Sequence, residues 1–169
     1  MIYRKGYMPI RDRESYNVFH ALSINCYSHA CFNITNKDLH KLDNFDDELT
    51  RFMLDFRDIG DLHNHIKEAG KRLKKVGLKL EKSSISEDIK KNQWKVAFYV
   101  RDGDENTKSD YHYMIQLGDG KWASKMGHYE TIDTFEKLPK SFYGSYNLVG
   151  VYKITNPYIK LDNEENMTM

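Results

Sequence analysis

The hydrophobic period changes once along this chain, and the change restricts the folds open to it. Up to Val76 the apolar residues recur at spacings of three and four, as on helices with one buried face. After Gln93 they alternate, as on strands. Phe45, Leu49, Phe52, Met53 and Phe56 trace one helical stripe within the acidic segment Asp43–Asp61, and Asn44 is placed to cap it. Leu62, Ile66, Ala69, Leu73 and Val76 trace a second stripe that runs into the basic segment Lys67–Lys82. Gly77 suits a C-terminal cap there, because glycine accepts the left-handed conformation that ends many helices. Two helices of opposite charge are predicted.

Beyond Gln93, Trp94, Val96, Phe98 and Val100 alternate with Lys95, Ala97, Tyr99 and Arg101, which predicts a half-buried strand. A polar loop, Asp102–Ser109, leads to a second strand over Asp110–Leu117. On that strand Tyr111, Tyr113, Ile115 and Leu117 share one face, and His112, Met114 and Gln116 the other. Gly118-Asp119-Gly120 signals a tight turn into a short strand at Lys121–Lys125, and a last strand spans Asn147–Ile154. Helices followed by an antiparallel sheet predict an α+β fold, with N-terminal helices packed on the sheet. The 169 residues read as a single domain with its core at about 14–160 and an acidic tail at 162–169.

Composition excludes several classes of function. A net charge of +1 argues against a protein dominated by non-specific nucleic-acid binding, although the basic stretch Lys67–Lys82 is a candidate surface for nucleic acid or an acidic partner. Two cysteines are too few for a disulfide-stapled domain. Neither a signal peptide nor a run of ~20 apolar residues is present in the sequence, so a cytoplasmic protein with reduced thiols is expected, with no membrane partner. Cys26, His29, Cys31, His40, His63 and His65 lack zinc-ligand spacing, and a helix would put His63 and His65 about 200° apart. No metal and no cofactor are expected.

The chemistry-bearing segment is Asn25-Cys-Tyr-Ser-His-Ala-Cys-Phe-Asn33. It reads as the start of a helix, with Asn25 at or near the cap and Cys26 in the first turn. A thiol in that place has its thiolate favoured by the helix dipole and the free backbone N–H groups. A strand histidine facing it, His112, would complete a nucleophile–base pair. Cys31 turns onto another helix face and reads as core.

These residues, with Asp110-Tyr-His112-Tyr and Gly120-Lys-Trp122-Ala-Ser-Lys125-Met-Gly127, resemble the papain-like cysteine peptidase superfamily. The pattern looks most like small bacterial and phage proteins of that group, and it spans roughly residues 20 to 155. The resemblance implies a papain-like fold and thiol-dependent hydrolysis or acyl transfer on a protein or peptide, with Cys26 as nucleophile and His112 as general base. It also implies a residue that orients the histidine, for which Asp119, Ser124, His128 and Asp133 are candidates. Pairing of Leu117 near Lys121 favours the stretch from Ser124 to Asp133. An oxyanion role would fall to His20 or Asn25. The alternative expectation is a non-enzymatic, phage-encoded protein that keeps the fold and acts by binding and masking another protein. Twelve tyrosines suit it, since tyrosine is favoured at interfaces.

Overall fold

A computed structural model of the chain describes residues 26–31, 61–75, 77–125 and 132–157. Its centre is an antiparallel sheet of seven strands: β1 (Lys79–Lys82), β2 (Gln93–Arg101), β3 (Asp110–Gln116), β4 (Trp122–Lys125), β5 (Ile132–Phe135), β6 (Ser141–Phe142) and β7 (Tyr146–Thr155). The order across the sheet is β1-β7-β2-β3-β4-β5, and β6 also pairs with β7. The sheet curls as a half-barrel. Two short α-helices accompany it among the described residues, α1 (Cys26–Cys31) and α2 (His65–Lys75), the latter preceded by a 3-10 turn at Leu62–Asn64.

This corrects the expected α+β, papain-like architecture with N-terminal helices packed on a sheet: the fold is mostly antiparallel strand. Part of the reason lies at Gly77. The basic run Lys67–Lys82 is one stretch by charge but two elements by conformation. Gly77 adopts a φ of 87°, Gly77 N–H donates to the Lys74 carbonyl at 3.0 Å, and Leu78 N–H donates to the Leu73 carbonyl at 2.9 Å. That pair of bonds is the Schellman arrangement that closes a helix, and both Leu73 and Leu78 are buried beside it. The chain then leaves as a strand, pairing Lys79 with Thr155 and Lys82 with Tyr152. The stripe predicted within Asp43–Asp61 lies outside the described residues.

The strands predicted after Gln93 form close to their expected bounds. The Gly118–Gly120 turn forms as well, with Gly120 at a φ of 89° and Leu117 N–H donating to the Lys121 carbonyl at 2.8 Å. What differs is burial. β2 is buried on both faces from Trp94 to Val100, where alternation had suggested one wet side. Strands covered on both sides lose that contrast, because each face meets its own apolar layer.

Two clusters account for the two layers. On the first face α1, α2 and the 3-10 turn before α2 bring Cys26, Tyr27, Ala30, Cys31, Leu62, Ala69 and Leu73 against Val96, Phe98, Tyr111, Tyr113 and Ile115. Trp94 ties α1 down by donating its indole N–H to the Ala30 carbonyl at 3.1 Å. On the second face the β6–β7 hairpin lays Phe142 and Tyr146 over Ala97, Tyr99, Met114 and Trp122. Truncating a fully buried side chain such as Leu73 to alanine typically costs about 2–5 kcal/mol, so each layer contributes on the scale of the whole fold's stability. Lys95 is also nearly buried, with Nζ donating to the Ile85 carbonyl at 2.9 Å. Removal from water lowers its pKa, the burial outweighing the pull of Glu87 and Asp88.

The pairing of β2 with β7 contains one irregularity. Phe98 pairs with Gly150 but Tyr99 pairs with Leu148, so Val149 is an extra residue on β7. It bulges, and it is 37% exposed.

Candidate functional site

α1 begins at Cys26 and lies over β3. It rests on the odd-numbered face of that strand, since Cys26, Tyr27, Tyr111, Tyr113 and Ile115 all belong to one cluster. Cys26 is 5% exposed and Cys31 fully buried, and neither is in a disulfide. Burial, with the nearby Cys26 adding to it, pushes the Cys31 thiol well up, so it stays protonated as part of the core. Two buried imidazoles accompany this side among the described residues, His29 on α1 itself and His65 from α2. For His65, Nδ1 is hydrogen-bonded to the Tyr113 hydroxyl at 2.7 Å, and the ring stacks on Tyr111 at 3.8 Å between centroids.

His112 projects the other way. Successive residues of a strand point to opposite faces, so the neighbour of Tyr111 and Tyr113 cannot share their side. Its ring centroid lies 4.8 Å from that of Phe142 and 6.3 Å from that of Tyr146, both in the second-face layer. The pairing expected of Cys26 and His112 is therefore not assembled, because the sheet stands between them. The aromatic stripe that was read as facing away from the cysteine helix is the stripe that the helix covers.

His112 meets Ser124 instead, Nε2 to Oγ at 2.7 Å, with both side chains buried. The β3–β4 register (Met114↔Ser124, Gln116↔Trp122) extrapolates to put His112 opposite a residue just past Lys125, as the hairpin turn implied. It is nonetheless Ser124, within the stretch offered for an orienting residue, that reaches the ring. Asp133 is the cross-strand partner of Ser124 on β5, and it is exposed. Asp119 stays in the turn, its carboxylate accepting from Lys121 N–H at 2.9 Å. His20, Asn25 and His128 lie outside the described residues.

Burial drives the pKa of His112 down to about 3, against a weaker opposing pull from Asp110. The ring is neutral at pH 7 and holds one hydrogen bond to a hydroxyl. Asp110 is engaged nearby, accepting from the Tyr146 hydroxyl at 2.6 Å. This arrangement locks the second-face layer in place. Among the described residues no group of three His, Cys, Asp or Glu side chains could hold a metal ion, and no helix is long and apolar enough to cross a membrane.

An accessible concavity lies elsewhere among the described residues. Between α2 and strands β1 and β7 runs a groove of about 380 Å³ lined by His63, Ile66, Lys67, Gly70, Leu80, Lys82 and Tyr152, among others. Its floor is apolar and its rim cationic. Gly70 helps to form it, since a Cβ there would sit 3.3 Å from Leu80 Cδ2. At one end Asp61 fixes His63, accepting from its backbone N–H at 3.0 Å and its ring Nδ1 at 2.8 Å. Those bonds hold the Asp61 carboxyl below its usual range.

Local ion pairs settle the groove's charge. Lys71 meets Glu68 at 3.1 Å, and Lys79 meets Glu81, the groove's acid, at 3.7 Å. Lys67 and Lys82 have no carboxylate partner among the described residues. Lys82 rests over the Tyr152 ring, 5.6 Å from its centroid. Sequence reasoning identified the basic stretch but missed the groove. The signal was the alternation Lys79-Leu80-Glu81-Lys82 directly after a glycine cap, too short to stand out as a strand.

No curated protein matches the chain. A family described as a domain of unknown function, DUF7689, matches residues 21–151, and the chain belongs to that family.

Proposed function

We propose that this member of the DUF7689 family is a protein-binding module that holds an acidic partner in the groove between α2, β1 and β7. The observation that carries the reading is the combination of an apolar floor (Ile66, Leu80, Tyr152) with two rim lysines, Lys67 and Lys82, that have no carboxylate partner among the described residues. The volume falls within the range of sites that take small ligands or a few side chains. The floor supplies buried apolar area, and the rim selects for negative charge and speeds encounter. The thiol-transfer expectation has weaker support: Cys26 is buried, His65 on its side is bonded to Tyr113, and His112 lies across the sheet.

The test is a titration of the intact protein with a fluorescein-labelled glutamate-rich octapeptide carrying one central leucine, followed by anisotropy. Saturable binding is expected, weakened at least tenfold in the double variant Lys67→Glu/Lys82→Glu and restored in part by a lysine-rich peptide of the same design. Absence of binding would overturn the reading, and so would equal affinity in the double variant.

A further inference from the structure

Among the described residues β1 is the outermost strand on its side of the sheet, pairing only with β7. Ser83 N–H donates to the Val151 carbonyl at 2.9 Å, continuing the ladder that pairs Glu81 with Lys153 and Lys79 with Thr155. In an antiparallel ladder the hydrogen-bonded residues alternate. Lys79, Glu81 and Ser83 therefore direct their backbone groups toward β7, and Leu80 and Lys82 direct theirs outward. Among the described residues those outward N–H and C=O groups have no hydrogen-bond partner. The same two residues line the groove with their side chains.

An open row of backbone donors and acceptors beside a side-chain groove is the arrangement used in strand addition. We propose that β1 takes up an extended acidic segment of a partner protein as an added strand, alternate side chains entering the groove. The proposal deepens the binding reading above and rests on it. Backbone bonds to Leu80 and Lys82 would set the register. A residue pointing toward α2 would rest an apolar side chain on Ile66, Leu80 and Tyr152, and acidic residues two places to either side would reach Lys67 and Lys82.

Charge complementarity selects this occupant. Lysines on an exposed edge repel other basic strands, a common device against self-association. β1 is such a strand, with Lys79 and Lys82 against one acid, Glu81. Pairing with a second β1 would bring like charges together, whereas an acidic strand would offset them.

The experiment has two stages. A randomised nine-residue peptide library is panned on the intact protein, and an enriched peptide is resynthesised with each backbone N–H methylated in turn and measured by calorimetry. Enrichment of an apolar residue between acidic ones is expected. Methylation at alternate positions should then weaken binding at least tenfold, with intervening positions changing it less than twofold. Leu80→Pro, which removes an outward donor and keeps the bonds to β7, should match the damaging methylations.

Methylation tolerated at every position, with binding still sensitive to Lys67→Glu/Lys82→Glu, would overturn strand addition and leave the groove reading standing. Failure to enrich acidic peptides would overturn both. Stronger binding to a uridine oligonucleotide, falling steeply with salt, would identify a nucleic-acid surface and overturn the proposal. A dimer in sedimentation that Leu80→Pro dissociates would assign the edge to a second copy and overturn it as well.

Discussion

Acid should destabilise this protein through His112 before its carboxylates titrate. The imidazole is 2% exposed, and its pKa is driven to about 3 from an ordinary value near 6.5. Folding therefore depends on the neutral ring. Between pH 6.5 and about 3 the unfolded chain binds a proton at this residue that the folded chain refuses. The stabilisation is complete above the unfolded value and is lost as pH falls through that window. One proton of difference is worth about 1.4 kcal/mol per pH unit. In a chain of this size that is about 3–6 °C of melting temperature per unit. The carboxyls of Asp61 and Glu87, also held low, add an acid-side loss of their own. The comparison must therefore be with a variant that alters His112 alone among titrating groups. His112→Leu with Ser124→Ala removes both ends of the 2.7 Å bond and leaves apolar groups of similar size, a change that is close to neutral when both partners go together. Urea unfolding at half-unit steps from pH 7 to pH 4 is the assay. The wild type should lose about 1.4 kcal/mol per unit more than the variant below pH 6. Parallel curves would show that the ring does not titrate as a buried group, and the packing described for the second face would be wrong.

Other perturbations test other parts of the fold. Gly77→Ala forces a Cβ into a left-handed position at φ 87° and should cost about 1 kcal/mol in urea unfolding. Trp94→Phe removes the donor to Ala30 and should cost about 1–3 kcal/mol, with early loss of amide protection in α1 by hydrogen exchange. Tyr143, a non-glycine at φ 46° with its side chain 65% exposed, should gain about 0.5 kcal/mol when replaced by asparagine, read from the melting temperature. Neither Cys26 nor Cys31 should react with a bulky aromatic disulfide in the native protein, and both should react once it unfolds; prompt native labelling would show that α1 is not packed as described.

The sequence is informative about period and poor about side. Alternation from Tyr111 to Leu117 separates an aromatic set from a set containing His112, and the structure keeps that separation. It holds no indication of which set a helix will cover, because both faces are buried and both sets are large. The inferred Cys26–His112 pair failed at that step, not at the strand itself. Ser124 was within reach of sequence reasoning because the Gly118–Gly120 turn pins the register. β1, β5 and β6 were not, since strands of four, four and two residues carry too few alternations to register against charge runs and loops. The groove escaped for the same reason: it needs β1 beside α2, and only three residues, 76–78, separate them in the sequence.

The single extra residue in β7 works as a parity switch. Upstream of it the even-numbered Tyr146 and Leu148 pack into the second layer, and downstream the odd-numbered Val151 does so. One strand thus feeds one layer from two out-of-phase halves. Removing Val149 would leave a strand of ordinary appearance whose first half is rotated by half a pleat. Tyr146, and Phe142 paired with it, would then be aimed at the face that α1 occupies. The lid over His112 is thus set by a count of residues as much as by their kind, and a one-residue deletion should do more harm here than most substitutions.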